Sequence, residues 1–438
     1  MLKIIKRIVG CFIVILGIIL SDKLLRYVLV DDIQSEVRSV MHEFYQQENI
    51  DTLFIGSSLV YCGYDPRILD EVWGENTYIA GTPIQKADGS YYLLKEVLKK
   101  NDIKTVYVDT YNRHYIDEPE ERTKGHMELV YYITDYMKNG WDRFEFLINA
   151  SGKEHYINSF FVPSRYGNYL LDLERMEKII KVKRREEYSA YTLPEGFYKG
   201  AMFTLGQSGN PNLIAKIDEA NYGPIEEQAI SNYSLRCLDK MVELCKKEGI
   251  RLVLVGTPVP HLYIDSVVNY DNYHNYMKKY AKQNNIEFYN FNLCKTDYLN
   301  FEKADFLDMQ HLSGIGNEKY SRFFADFMVN YSEEERQNFF YDSVEEKNRD
   351  MDPHTFGITY RESGEDSNSY IFETAANYDV KVEYRFCIID NQNNELEVIQ
   401  EFDKNNILFT GTEKGKKYKV TSREIETEEV VEEVVVNL

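Results

Sequence analysis

The sequence predicts an α/β protein built on a mostly parallel sheet, with a smaller antiparallel β unit at its C-terminal end. Three observations carry this. Short apolar runs ending near a Gly alternate with amphipathic helical stretches between residues 48 and 333, the rhythm of an open parallel sheet with helices on its faces. That rhythm breaks between about 115 and 227, in a Tyr-rich helical stretch with the basic run Lys181–Arg185, read as an insertion rising from the third strand. From about Phe356 apolar and polar residues alternate, as in Val380–Phe386 and Tyr418–Thr421, the period of half-buried strands.

In order, the first element is an apolar run, Ile8 to Leu20, behind Lys3, Lys6 and Arg7. With its apolar neighbours it reaches the roughly 20 residues a spanning helix needs. A cleaved signal peptide shares the basic start and apolar core, but no small-x-small cleavage site follows Leu20. Residues 1–30 are therefore read as an uncleaved anchor in the plasma membrane, N-terminus inside and the bulk of the chain extracellular. A helical neck, 31–47, leads to strand Ile50–Ile55, stopped by Gly56. Strand Thr77–Ala80 stops at Gly81, helix Ser90–Lys100 follows, and Thr105–Asp109 is the third strand. After the insertion, helix Asn232–Glu248 is closed by Gly249, a natural left-handed cap. Strand Ile250–Gly256, helix Tyr273–Gln283 and strand Ile286–Asn290 complete a five-stranded sheet. Residues 334–350 read as an acidic linker and 351–438 as a β-sandwich, with turn clusters at Asp390–Asn394 and Gly411–Gly415; Leu408 and Gly415 before Tyr418 are weakly similar to a tyrosine corner.

Composition narrows function by exclusion. A formal charge of -21 argues against nucleic acid, because no basic surface dominates. The six cysteines have no C-x-x-C pair, and Cys237 and Cys245 fall about 12 Å apart on one helix, so neither a disulfide framework nor a zinc site is indicated. No cofactor or metal is expected.

Two segments carry chemistry. Phe54-Ile-Gly-Ser-Ser58 ends a buried strand in Gly and two serines, at the end of the sheet where ligands bind. By itself it is also an ordinary strand-to-helix turn, and it lacks the G-x-S-x-G elbow. Phe306-Leu-Asp-Met-Gln-His-Leu-Ser313 follows the last strand and precedes a helix that Ser313 could cap. In it Asp308 can hold the tautomer of His311 while the other ring nitrogen faces a nucleophile. His114 and His261, at other strand ends, are read as loop histidines without a role.

Together the two segments make the chain resemble an SGNH/GDSL-type hydrolase over roughly residues 48 to 330. Within that superfamily it is similar to the membrane-anchored group related to the D-alanine transfer protein of teichoic acid synthesis and to alginate O-acetyltransferases. The resemblance implies an SGNH-like (flavodoxin-like) sheet and a Ser-His-Asp site. Ser58 matches the nucleophile, with Ser57 where Asp is usual; Asp308 and His311 match the final block; Gly81 matches the second-block glycine of the oxyanion hole. The third block, Gly-x-Asn-Asp, is absent; Asp109-Thr-Tyr-Asn112 stands in its place, with Asn112 as a candidate donor. The function so implied is a cell-surface serine esterase or O-acyltransferase. It would act on a polysaccharide or teichoic-acid-like polymer, beside a multi-span membrane acyltransferase. The alternative is a catalytically inactive assembly or carbohydrate-binding protein.

Overall fold

The apolar runs pair into one five-stranded sheet. In the computed structural model, residues 2–437 are described except 33–35, 194, 204–213, 217–224, 226–227, 352–354, 363–369, 377–381, 406 and 410–415. The strands are β1 (Thr52–Gly56), β2 (Thr77–Gly81), β3 (Thr105–Asp109), β4 (Arg251–Gly256) and β5 (Glu287–Asn290). Their spatial order is β2-β1-β3-β4-β5 and every pairing is parallel, the flavodoxin-like order whose switch point lies between β1 and β3.

Strands covered on both faces need apolar residues at every position, and β1 and β2 are buried throughout. Leu53, Ile55, Val106, Val108, Leu252 and Leu254 point to one core, where Leu93, Leu238 and Met277 from α5 (Ala87–Val97), α10 (Asn232–Glu248) and α11 (Tyr270–Asn284) meet them. Phe54, Tyr107, Val253, Val255 and Tyr289 point to the other, filled by Leu69 of α4 (Pro66–Trp73) and by Tyr320 and Phe324 of α12 (Gly314–Asn330). Period-2 alternation thus feeds two cores from one sheet. Gly249 caps α10 at φ 71°, as expected of its position.

The insertion carries α6 (Lys124–Thr134), α7 (Trp141–Ala150), α8 (Tyr156–Phe160) and α9 (Leu173–Lys183). It is tied to the sheet's helices by Arg122, whose guanidinium donates to Asp88 at 2.7 Å and to the Ala150 carbonyl at 3.1 Å. Both charges are almost fully buried. The loop expected around Gly206–Asn212 lies outside the described residues.

At the N-terminus α1 (Leu2–Leu29) is one continuous helix, and α2 (Glu36–Gln46) supplies the neck. The segment Arg7–Leu29 contains an 18-residue window of mean hydropathy 2.4 and is long and apolar enough to cross a membrane. None of its most apolar window is covered by the protein, unlike a helix of a globular core.

One expectation is corrected. Residues 334–350 are no free linker: Glu333–Gln337 and Val344–Asp350 are helical and Phe339 and Tyr341 are buried, with Phe340 bridging to Cys294. The acidic residues lie on helix surfaces, while the aromatics between them seal the edge of the core.

The C-terminal part holds an antiparallel sheet of β8 (Val382–Ile389), β9 (Glu395–Asp403), β10 (Lys417–Glu424) and β11 (Val430–Asn437), ordered β9-β8-β10-β11. One face buries Val382, Tyr384, Phe386, Tyr418, Val420, Val434 and Val436. The expected turn at Asp390 is present, its carboxylate accepting from the backbone of Gln392 and Asn394. In a second sheet, β6 (Thr355–Glu362) pairs antiparallel with β7 (Tyr370–Ala376) and, on its other edge, parallel with Ile214–Lys216 of the insertion. A three-residue pairing so distant in sequence leaves no periodic signal. The Gly411–Gly415 turn and Gly415 of the suggested tyrosine corner lie outside the described residues.

Candidate active site

Ser58 opens the short helix α3 (Ser58–Gly63) directly after β1. Gly56 is required just before it, because a Cβ there would stand 2.3 Å from Val60 Cγ2 and 2.6 Å from Asp109 Cβ. Ser57 is fully buried and caps α3, its hydroxyl accepting from the Leu59 N–H at 3.3 Å. Ser57 therefore does structural work, and Ser58 is left half-buried at the sheet's carboxyl edge.

His311 arrives from 253 residues away. Its loop is a tight hairpin: Phe306 bridges to Leu312, and the Leu307 N–H donates to the His311 carbonyl at 2.8 Å. Ser313 caps α12, as the sequence suggested, accepting from Gly316 N–H at 3.2 Å. Helix α12 is then bolted to the segment after Ser58 by three buried bonds. Asn317 Nδ2 donates to the Cys62 carbonyl (2.6 Å), Tyr64 and Tyr320 share a hydroxyl contact (3.1 Å), and Asp65 N–H donates to Ser321 Oγ (2.9 Å). Fixing α12 against α3 fixes the loop between them.

The result is a Ser-His-Asp line. His311 Nε2 lies 2.7 Å from Ser58 Oγ, and His311 Nδ1 lies 2.8 and 3.0 Å from the two Asp308 oxygens. Asp308 Oδ1 also accepts from the N–H of Gln310 (2.7 Å) and His311 (2.9 Å). Burial works to raise the Asp308 pKa, but the bond and charge of His311 and these two N–H groups outweigh it and hold the carboxyl below its usual range. With 56% of its side chain exposed the pair adds little to stability, so the carboxylate's contribution is orientation.

Gly81 pairs with Gly56 across β1 and β2. A Cβ on it would stand 3.1 Å from the Ser57 carbonyl and 3.1 Å from Tyr61 Cδ1, so glycine lets β2 approach the serine turn closely. Asn112 sits on the turn after β3, 2% exposed. Its Oδ1 accepts from Tyr263 Oη–H at 2.9 Å, which sets the amide so that Nδ2 faces away; that Nδ2 is buried without a hydrogen-bond partner among the described residues. A buried orphan donor costs about 1–3 kcal/mol and asks for an explanation.

Three residues near this site were not singled out from the sequence. Gln310 Nε2 donates to Tyr111 Oη at 3.1 Å, joining the His311 loop to the turn after β3, and Tyr111 packs on Tyr263 at 5.3 Å. The available signal was position alone, since Tyr111 and Tyr263 follow the carboxyl ends of β3 and β4. His114, expected to have no role, is buried edge-on against Tyr111 at 4.9 Å. Burial, then the charges of Lys86 and His311, hold it well below the usual histidine pKa, so it stays neutral beside the site. His261 is tied to Asn348 instead, at 2.6 Å. Asp109, under the site, is pushed up to about 6 by burial, against bonds from Thr257, Tyr111 and Thr110. A groove of 840 Å³ runs from Val30–Asp32, at the end of α1, to Pro83, two residues past Gly81.

No protein family matches the chain, and no curated protein matches it. A solved structure of an engineered protein aligns over 92% of this chain and 96% of its own at 11% identity and a TM-score of 0.17. Likeness at that level carries no argument about fold or function.

Proposed function

We propose that this chain is a cell-surface serine esterase or O-acyltransferase, held to the membrane by α1 and working through a Ser58 acyl-enzyme. The observation that carries the reading is the continuous line Asp308–His311–Ser58, with a hydroxyl 2.7 Å from an imidazole nitrogen whose partner nitrogen faces a carboxylate. Ser58 Oγ attacks the carbonyl carbon of an ester while His311 Nε2 takes its proton. The oxyanion is held by the N–H of Ser58, which as the first helical residue has no acceptor inside α3, by Gly81 N–H and by Asn112 Nδ2. Collapse of the intermediate breaks the ester C–O bond, and His311 returns the proton to the departing alkoxide. A second hydroxyl, of water or of a glycan, repeats the sequence on the acyl-Ser58 ester. Water gives hydrolysis and a glycan gives transfer.

The groove that ends at Pro83 offers the acceptor a path, and its lining includes Tyr132, Tyr136 and Tyr166, aromatic side chains of a kind that suits sugar rings, while Tyr131 lies buried beneath Arg165. Asp31, Asp32, Glu128 and Asp135 also line it, with Asp32 paired to Arg38 and Lys183 and Asp135 to Arg165 and Arg26, so the groove holds no surplus of cations for a polyphosphate. A multi-span acyltransferase supplying the acyl group remains part of the proposal on family resemblance.

The test is labelling of the full-length chain by a fluorophosphonate probe, beside Ser58→Ala and His311→Ala. Labelling abolished by the first substitution and cut at least about 10³-fold by the second supports an activated serine. A folded wild-type chain that is not labelled overturns catalysis and leaves the assembly or carbohydrate-binding reading.

A further inference from the structure

Helix α1 is gripped by the insertion. Arg175 Nη1 donates to the Leu29 carbonyl at 2.9 Å and Lys183 Nζ to the Val30 carbonyl at 2.6 Å, so cations from α9 close carbonyls that the helix end leaves open. Arg26 pairs with Asp22 at 2.6 Å and reaches Asp135 at 3.7 Å, which Arg165 holds in turn at 2.6 Å. Leu29 is fully buried, whereas Ile8, Phe12 and Leu24 are 63 to 67% exposed. Among the described residues of α1, burial against the rest of the chain is thus confined to the last two turns.

Around that foot the insertion turns apolar side chains outward. Leu171 is 92% exposed, Leu173 74%, Ile157 72% and Trp141 71%. The rings of Trp141, Phe144 and Phe160 succeed one another at 5.4 Å, with Ile157 one turn before Phe160 on α8. Single exposed apolar residues need no explanation, but contiguous ones do. These lie on or beside elements that reach α1 directly or through a neighbour: the 3-10 segment Val162–Tyr169 and α9 pack on α1, α8 packs on that segment, and α7 on α8. Arg143, between Trp141 and Phe144, lies within electrostatic reach of Arg26 and Asp22.

Helix geometry sets the depth. From Arg7 at one boundary, about 20 residues at ~1.5 Å each span the ~30 Å hydrocarbon layer, which puts the other boundary near Tyr27, inside the gripped turns. The collar therefore stands at the level of the outer headgroups, where Trp and other amphipathic aromatics concentrate.

We infer that Trp141, Phe144, Ile157, Phe160, Leu171 and Leu173 dip into the outer interface of the bilayer that α1 crosses. The catalytic unit is then seated on the membrane in one orientation instead of swinging from a tether. This rests on reading α1 as membrane-spanning, and its occupant is lipid, not a second protein.

The chain has two tryptophans, so the full-length Trp73→Phe protein leaves Trp141 as sole reporter. It is reconstituted, one copy per disc, in nanodiscs of phosphatidylcholine or of the same lipid brominated near the top of its acyl chains. Burial ~5–10 Å into the interface predicts emission lowered about twofold or more by the brominated lipid, with little quenching by aqueous iodide. Trp141→Phe in the wild-type background, which also covers any instability of Trp73→Phe, loses the bromine effect. A chain that resists alkaline extraction from membranes, yet shows Trp141 open to iodide and blind to bromine, overturns the collar alone. A chain released by alkaline extraction overturns the anchor and the collar together.

Discussion

Asn112→Ala separates the oxyanion donor from a spectator more sharply than any other single change. The substitution removes Nδ2, which no described group satisfies, and Oδ1, which accepts the Tyr263 hydroxyl at 2.9 Å. For stability the two losses oppose each other. Deleting an orphan donor relieves about 1–3 kcal/mol, while losing the neutral hydrogen bond from the Tyr263 hydroxyl, which also interacts with Tyr111 and Arg113, costs about 0.5–1.5 kcal/mol, so the variant loses at most about 0.5 kcal/mol. For catalysis they do not cancel, because one oxyanion donor is worth about 10²–10³ in rate, or 2.7–4 kcal/mol of barrier. Tyr263→Phe is the control. It leaves Asn112 Oδ1 buried and unpaired, costing about 1–3 kcal/mol of stability, and frees the amide to turn, so its rate loss falls below that of Asn112→Ala. The assay is the second-order rate of fluorophosphonate labelling, which needs no knowledge of the natural ester, read beside thermal denaturation. A labelling rate for Asn112→Ala within threefold of wild type, in a protein of unchanged Tm, would refute the role of Asn112.

Other expected outcomes concern the rest of the site and its supports. Asp308→Asn removes the charge that orients and stabilises the His311 imidazolium and lowers the labelling rate by up to about 10⁴, with stability changed by less than about 0.5 kcal/mol since Asp308 is exposed. Because the Asp308 carboxyl is held below its usual pKa, its contribution is complete above about pH 4 and is lost only as pH falls through the lowered value, so the labelling profile shows no Asp308 limb above pH 4. Asp109 has the opposite sign. Its pKa rises to about 6 on folding, so the stability associated with its neutral form is complete below about pH 4 and is lost as pH rises through 6. The unfolding free energy of Asp109→Asn relative to wild type should therefore shift in the variant's favour by up to ~3 kcal/mol between pH 4 and pH 8, and a pH-independent difference would contradict the assignment. Arg122→Ala strands the buried Asp88 carboxylate and should cost about 3–5 kcal/mol in denaturant melts, loosening the insertion from the sheet.

The parallel sheet was legible because a strand buried on both faces leaves a plain mark: Leu53 to Ile55 and Leu252 to Val255 are uninterrupted apolar runs stopped by glycines. Local stop signals were equally readable, since a left-handed cap at Gly249 and a hydroxyl cap at Ser313 depend on neighbours a few residues away. The acidic residues of 334–350 misled for the same reason. Their charge is a local fact, whereas the burial of Phe339 and Tyr341 beside them depends on a core assembled elsewhere.

The sequence by itself therefore determined the element types, the α/β class of the central unit and the residue types of a Ser-His-Asp set. Only the tertiary structure decided that Ser58 and His311 stand 2.7 Å apart, and that Tyr263 turns the Asn112 amide outward from its own bond. It alone also showed that the insertion clamps the foot of α1 through Arg175 and Lys183. The physical reason is range. Caps, turns and periodicity are set by interactions within a few residues, but a site is set by which helix faces lock together. Here that is the bolting of α12 to α3 through Asn317, Tyr320 and Ser321, contacts spanning some 255 residues that no local pattern encodes.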